Sequence, residues 1–311
     1  MSRTFLLTAL LISVAVPATM EAQKRRARDE DYDQDYQSRL DTTFAFDRRG
    51  TVTLSIGSGE IIVRSWDRPQ IQIRARSERS TVRMDATPTR VSLDLSRPRG
   101  GDTRFEVTVP SGARISARAT NGDISVNGAK GGVEARTQSG DVNVEDVGDM
   151  IDLGSLSGDI SARGLTGSVE VNAISGDVVL SDVKGDVEAT SVSGGIELRN
   201  VIARYVRARS TSGDISYDGV IDSTGRYELG SHSGSVDLTI PQNTGALLTV
   251  STYNGSIESD FPITLKPGDT HGSRRYTFEI GPAGKSDARI SAESFSGDIT
   301  IRSKGRRPTE R

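Results

Sequence analysis

The sequence predicts an all-β chain, a single-stranded parallel β-solenoid: a flattened β-helix of about 18–21 residues per coil with two short strands in each. Three observations predict it. First, a glycine-centred tripeptide leading into a β-branched strand recurs nine times. The copies are TNGDISV (120–126), QSGDVNV (138–144), LSGDISA (156–162), ISGDVVL (174–180), VSGGIEL (192–198), TSGDISY (211–217), HSGSVDL (232–238), YNGSIES (253–259) and FSGDITI (295–301). The glycines, Gly122, Gly140, Gly158, Gly176, Gly194, Gly213, Gly234, Gly255 and Gly297, are spaced by 18, 18, 18, 18, 19, 21, 21 and 42 residues, the last being twice 21. Second, apolar residues fall into columns with a strand-like step of two. Third, no Phe or Trp occurs between Ser111 and Gly219, so the core there must be thin and built from Val, Ile, Leu and Ala.

With the glycine as position one, position three reads Ile124, Val142, Ile160, Val178 and Ile196, and position five Val126, Val144, Ala162, Leu180 and Leu198. Position eight reads Ala129, Val147, Leu165, Val183 and Val201, and positions twelve and fourteen continue with pairs such as Ile151 and Leu153. Position seventeen reads Gln138, Leu156, Ile174 and Val192 and completes the set of expected inward columns. The gaps of two, three and four occur twice per coil, which reads as two similar nine-residue halves with one strand each. A hexapeptide helix would need an apolar residue every six positions, which these gaps do not supply. At the corner, glycine is expected to take φ > 0, with the flanking Ser and Asp capping turn groups.

The remaining elements follow in chain order. Residues 1–22, with Arg3, an apolar run from Phe5 to Val16 and small residues up to Ala22, read as a secretory signal peptide. Residues 23–41 are almost wholly polar and read as a flexible charged linker, with Lys24, Arg25, Arg26 and Arg28 as a candidate polymer tether. Residues 42–110 read as an N-terminal β region that caps the solenoid, in which GSGEIIV (57–63) is a diverged repeat and Trp66 packs on the first coil. The repeats occupy 111–302. Pro262, Pro267 and Pro282 mark an irregular insertion over 260–290, a wider coil or a hairpin. The basic tail, 303–311, is expected to guard the last strand as an exposed edge.

Composition bounds the function. There is no Cys, hence no disulfide framework and no thiolate metal site. The net charge of −3 gives no general attraction to nucleic acid, and nothing after the leader reads as a transmembrane segment. With only His232 and His271, both expected on the surface, nucleophilic triads and His-rich metal sites have little to draw on. No catalytic residue and no cofactor is expected. The candidate chemistry is a row of carboxylates: Asp123, Asp141, Asp159, Asp177 and, after an interruption at Gly195, Asp214. In stacked coils such neighbours stand about 5 Å apart, so either N–H groups satisfy each one or cations bridge the row. Recurrence at the repeat period favours the first reading.

The segments VRSWD (63–67) and VTVPSGARISARATNGDISV (107–126), with the SGD(I/V) array behind them, resemble the bacterial putative-adhesin family of the DUF4097 type over Thr42 to Arg302. The resemblance implies an exported, periplasmic, cell-surface or extracellular β-solenoid with no established catalytic residues. Its partner would be an envelope polysaccharide or protein. A carbohydrate-active parallel β-helix enzyme, a lyase or hydrolase with a site between the regular coils and 260–290, is the alternative. Any site is expected where the repeat fails: the cap, Gly195, or 260–290.

Overall fold

The computed structural model describes residues 38–96, 100–262, 274–281 and 287–305. The leader, the linker up to residue 37, His271, the bulk of the 260–290 insertion and the tail beyond 305 lie outside these residues. Residues 38–41, read as linker, instead open the strand Ser38–Ala45.

The described chain is a parallel β-solenoid with two ladders. One follows each repeat glycine and runs in register, as Val142 beside Ile160, Ile160 beside Val178, and Val178 beside Ile196. The other precedes the next glycine, as Val133 beside Ile151, Ile151 beside Val169, and Val169 beside Val187. Ladder spacing makes the stack on the order of 50 Å long. The inward columns are fully buried; Ile124, Ile151, Leu153, Leu165, Val183 and Leu198 expose essentially nothing.

The two halves of a coil are not equivalent, and position seventeen corrects the sequence reading. Leu156, Ile174 and Val192 are 49%, 45% and 40% exposed. Position sixteen is buried instead, by Thr137, Ser155 and Ser191, with Ser210 their ladder partner in the 19-residue coil that follows. The cause lies at position seven, where Gly128, Asp146, Gly164, Asp182 and Asn200 take φ of 83°, 52°, 69°, 55° and 53°. One left-handed residue there acts as a bulge, flips the alternation and turns position eight inward. The second half has no such bulge, so positions twelve, fourteen and sixteen point in and seventeen points out. Thr137 donates to the Gly122 carbonyl at 2.9 Å, Ser155 to that of Gly140 at 3.4 Å and Ser210 to that of Gly194 at 3.1 Å, whereas Ser191 Oγ is buried without a hydrogen-bond partner among the described residues.

The repeat glycines are required more by contact than by conformation. Of the nine, only Gly140, Gly158 and Gly176 have positive φ, of 137° to 141°. A Cβ on Gly194, however, would overlap the carbonyl oxygen of Gly176 in the coil below. Wider coils after Gly194 are filled by Tyr217 and Tyr227, both buried, with rings edge to face at 5.8 Å. The Tyr227 hydroxyl donates to the Ala203 carbonyl at 2.6 Å.

Both ends are stacked out of chain order. Thr51–Trp66 lies between Arg114–Asn127 on one side and Arg90–Ser96 with Thr103–Pro110 on the other. Gly59 thus sits directly beside Gly122. Antiparallel strands close this end: Ser38–Ala45 on Gln70–Ser77, Gln70–Ser77 on Thr103–Pro110, and Thr81–Ala86 on Arg90–Ser96. Trp66 donates from Nε1 to the Gln70 carbonyl at 2.7 Å.

At the other end, Arg289–Ser296 and Ile299–Lys304 slot between the coil of residues 226–241 and the coil of residues 247–259. The last strand is therefore paired on both sides, by Val236–Pro241 and Ile257–Ser259, and is not the edge that a basic tail would guard. Arg274–Ile280, from the insertion, runs antiparallel along Ala246–Asn254. The 42-residue gap before Gly297 holds this strand in place of a regular coil.

Candidate recognition groove

The carboxylate row is built into the backbone. Asp141 N–H donates to Asp123 Oδ1 at 2.9 Å, Asp159 N–H to Asp141 Oδ1 at 3.0 Å, and Asp177 N–H to Asp159 Oδ1 at 2.8 Å. The series continues with Gly195 N–H to Asp177 at 2.8 Å, Ser235 N–H to Asp214 at 2.7 Å and Ser256 N–H to Asp298 at 2.7 Å. Each aspartate fastens its own coil to the next, which is an inter-coil clamp instead of a local turn cap. Gly195 donates normally and only fails to pass the series on. Among the described residues no group of three or more His, Asp or Glu is placed to hold a metal ion.

A different feature stands out on the face that carries position seventeen. Its outward column runs, in stacking order, through Leu156, Ile174, Val192, Thr211, His232, Phe295 and Tyr253. The intercalated coil puts Phe295 between the other two rings, 4.9 Å from His232 and 5.0 Å from Tyr253, with interplanar angles of 13° and 2°. Tyr253 and Phe295 are 51% and 46% exposed. Phe295, covered by a ring on each face, shows its edge to solvent. His232 is exposed, as the sequence predicts, but it is a member of this row and not an isolated surface residue.

Beside the row the surface is hollowed across the same three coils and the two stacked before them. Two open depressions, of about 470 and 630 Å³, share Arg209, Gly230 and Glu293 and form one groove. Gly230 lies in its floor, and an added Cβ there would meet nothing closer than 3.9 Å. One flank is the aromatic row; the other carries Arg207, Arg226, Arg275 and Arg289. Arg275 comes from the insertion; none of the three rings does.

The two groove carboxylates differ. Glu228 is gripped by Arg226 Nε at 2.7 Å, Arg207 Nη2 at 2.9 Å and Arg209 Nη2 at 3.5 Å. Burial opposes its ionisation, but the hydrogen bonds and charges of Arg207 and Arg226 prevail and hold its pKa below the ordinary value. Those same hydrogen bonds raise the pKa of Arg207. Glu293, exposed, accepts from Ser291 Oγ at 3.0 Å. No column of the repeat signals this groove, because Phe295, Arg289 and Arg275 reach it only through the out-of-order stacking of the last coil and the insertion strand.

A putative cell adhesion protein from Clostridium sporogenes is similar over 86% of this chain and 100% of its own, at 10% identity and a TM-score of 0.24. A putative adhesin from Bacteroides fragilis covers 86% and 98% at 12% identity and 0.34. A putative lipid binding protein from Parabacteroides distasonis covers 85% and 97% at 8% identity and 0.34. No curated protein sequence matches the chain. Among the described residues no helix is long and apolar enough to cross a membrane. Residues 67–302 match the family described as Toastrack DUF4097, so all but Asp67 of the VRSWD segment lies outside the match, and the chain belongs to that family.

Proposed function

We propose that the chain is an exported, non-enzymatic binding surface, an adhesin or envelope scaffold, whose recognition site is the groove over Gly230. The observation that carries this reading is the groove's construction. It joins an exposed aromatic edge to an arginine flank, and its best-buried carboxylate, Glu228, is committed to three guanidinium groups. A glycosidase needs two carboxyl groups poised across a bond, one of them free to give a proton. Glu228 is not free to do so, which supports binding over hydrolysis. Export rests on the leader reading of residues 1–22.

The test is capture of isolated envelope material by the immobilised chain and by Gly230→Trp, whose Cβ has open space and whose ring would occupy the groove. Loss of capture at an unchanged melting temperature is the expected result. Equal capture by both proteins would remove the groove from the function. Release of reducing sugar from acidic polysaccharide would replace the binding reading with the enzymatic one.

A further inference from the structure

We infer that the groove binds a linear polysaccharide bearing carboxylates, a polyuronate-type chain; this rests on the binding role proposed above and names its ligand class. The argument starts from how the solenoid treats charge elsewhere. On the regular coils, neighbouring outward positions alternate in sign: Arg118 pairs with Glu134 at 2.7 Å, Glu134 with Arg136 at 2.6 Å, and Arg136 with Asp152 at 2.5 Å. At the groove the alternation stops. Arg289 stands directly across the ladder from Arg226, where like charges destabilise a sheet. Arg226 leans on Glu228, but Arg289 and Arg275 make no ion pair among the described residues. Five arginines face two glutamates in a protein whose net charge is −3.

This local cationic excess calls for an anion, and guanidinium groups hold carboxylates in two-pronged geometry. The aromatic flank agrees, because the edge of a ring carries the positive end of its quadrupole. The same geometry argues against single-stranded nucleic acid, which stacks its bases on ring faces. Here His232 and Tyr253 cover both faces of Phe295. The trough is also open, with arginines along one flank, whereas an acyl chain needs apolar walls that enclose it. An extended glycan fits: Ser251, Ser291 and Thr190 offer hydroxyls along the floor between the charged and aromatic flanks.

The experiment measures binding of a labelled polygalacturonate oligomer to the full chain by fluorescence anisotropy at two salt concentrations. Binding that weakens with salt and falls at least tenfold in Arg275→Glu/Arg289→Glu is expected, with Arg83→Glu, on the distant Thr81–Ala86 strand, changing it less than twofold. Arg275→Gln/Arg289→Gln repeats the loss without adding charge and keeps the test valid if the reversal unfolds. Neutral dextran, oligothymidylate of equal charge and phosphatidylglycerol vesicles should bind at least tenfold more weakly. No polygalacturonate binding, equal binding by the double variants, or stronger binding to any of the three competitors would overturn the inference. A chain that fails here yet loses envelope capture on Gly230→Trp keeps its binding role, so the two failures are distinguishable.

Discussion

Phe295 lies flat against Tyr253, with ring centroids 5.0 Å apart and planes within 2°, although 42 residues separate them in the chain. The contact exists because the final coil enters the stack beside the coil of residues 226–241 and displaces that of residues 247–259 by one level. Aromatic pairs of this kind are worth about 0.5–1.5 kcal/mol beyond their buried area. A double-mutant cycle on Phe295→Ala and Tyr253→Ala should return a coupling in that range, read from urea unfolding. Zero coupling would mean that the stacking contributes nothing to docking of the last coil.

The glycine corners should be intolerant where coils touch. Gly158→Ala puts a Cβ on the Gly140 carbonyl in a residue already at φ 141°, and should cost about 3 kcal/mol or more. Gly230→Ala, with open space around its Cβ, should stay within about 0.5 kcal/mol. Melting temperatures of the two variants check the contrast.

Positions fourteen and seventeen should respond differently although both carry a leucine in the same coil. Leu153→Ala removes a fully buried side chain and should cost about 2–5 kcal/mol. Leu156→Ala removes one that is 49% exposed and should cost well under half as much, about 0.5 kcal/mol. Equal losses would restore Leu156 to the core.

The aspartate clamps predict stability without metal. Asp159→Ala orphans the Asp177 N–H, a loss of about 1–2 kcal/mol for a charge-assisted bond on an exposed edge. Calcium or a chelator should leave the melting temperature of the unaltered chain unmoved. A rise on adding calcium would show the row acting as a cation site.

Alkaline pH should unfold the protein through its wide coils. Burial pushes the Tyr217 phenol far above its ordinary value of 10.0, with the neighbouring Tyr227 adding to the shift. A raised folded-state pKa stabilises fully below the unfolded value and loses that contribution as pH climbs past 10. Tyr217→Phe keeps the ring and removes the ionisable group. It should unfold at a higher pH than the unaltered chain in circular-dichroism titration, and an unchanged midpoint would remove Tyr217 from alkaline unfolding.

Much of the fold was legible from particular residues. Ile160, Ala162, Val169 and Val171 each pair with the equivalents one period away, as the columns predict. Leu156 reads as core from hydrophobicity alone, and the signal that turns it outward is subtler: the Gly, Asp or Asn at position seven, which tolerates the left-handed bulge and resets the alternation. The groove was hidden for another reason. Arg226, Arg289 and Arg275 are far apart in sequence and belong to no column.

By itself the sequence determined the period, the identity of the inward columns in each half up to position fourteen, and the glycine corners. These depend only on contacts between a coil and its neighbour, so a repeating pattern encodes them. Only the tertiary structure decided the order of stacking at the two ends. A parallel ladder is made of backbone groups that any coil can offer, so register does not say which coil lies next to which. That choice places the last strand inside the stack, seats Phe295 between His232 and Tyr253, and sets Arg289 against Arg226.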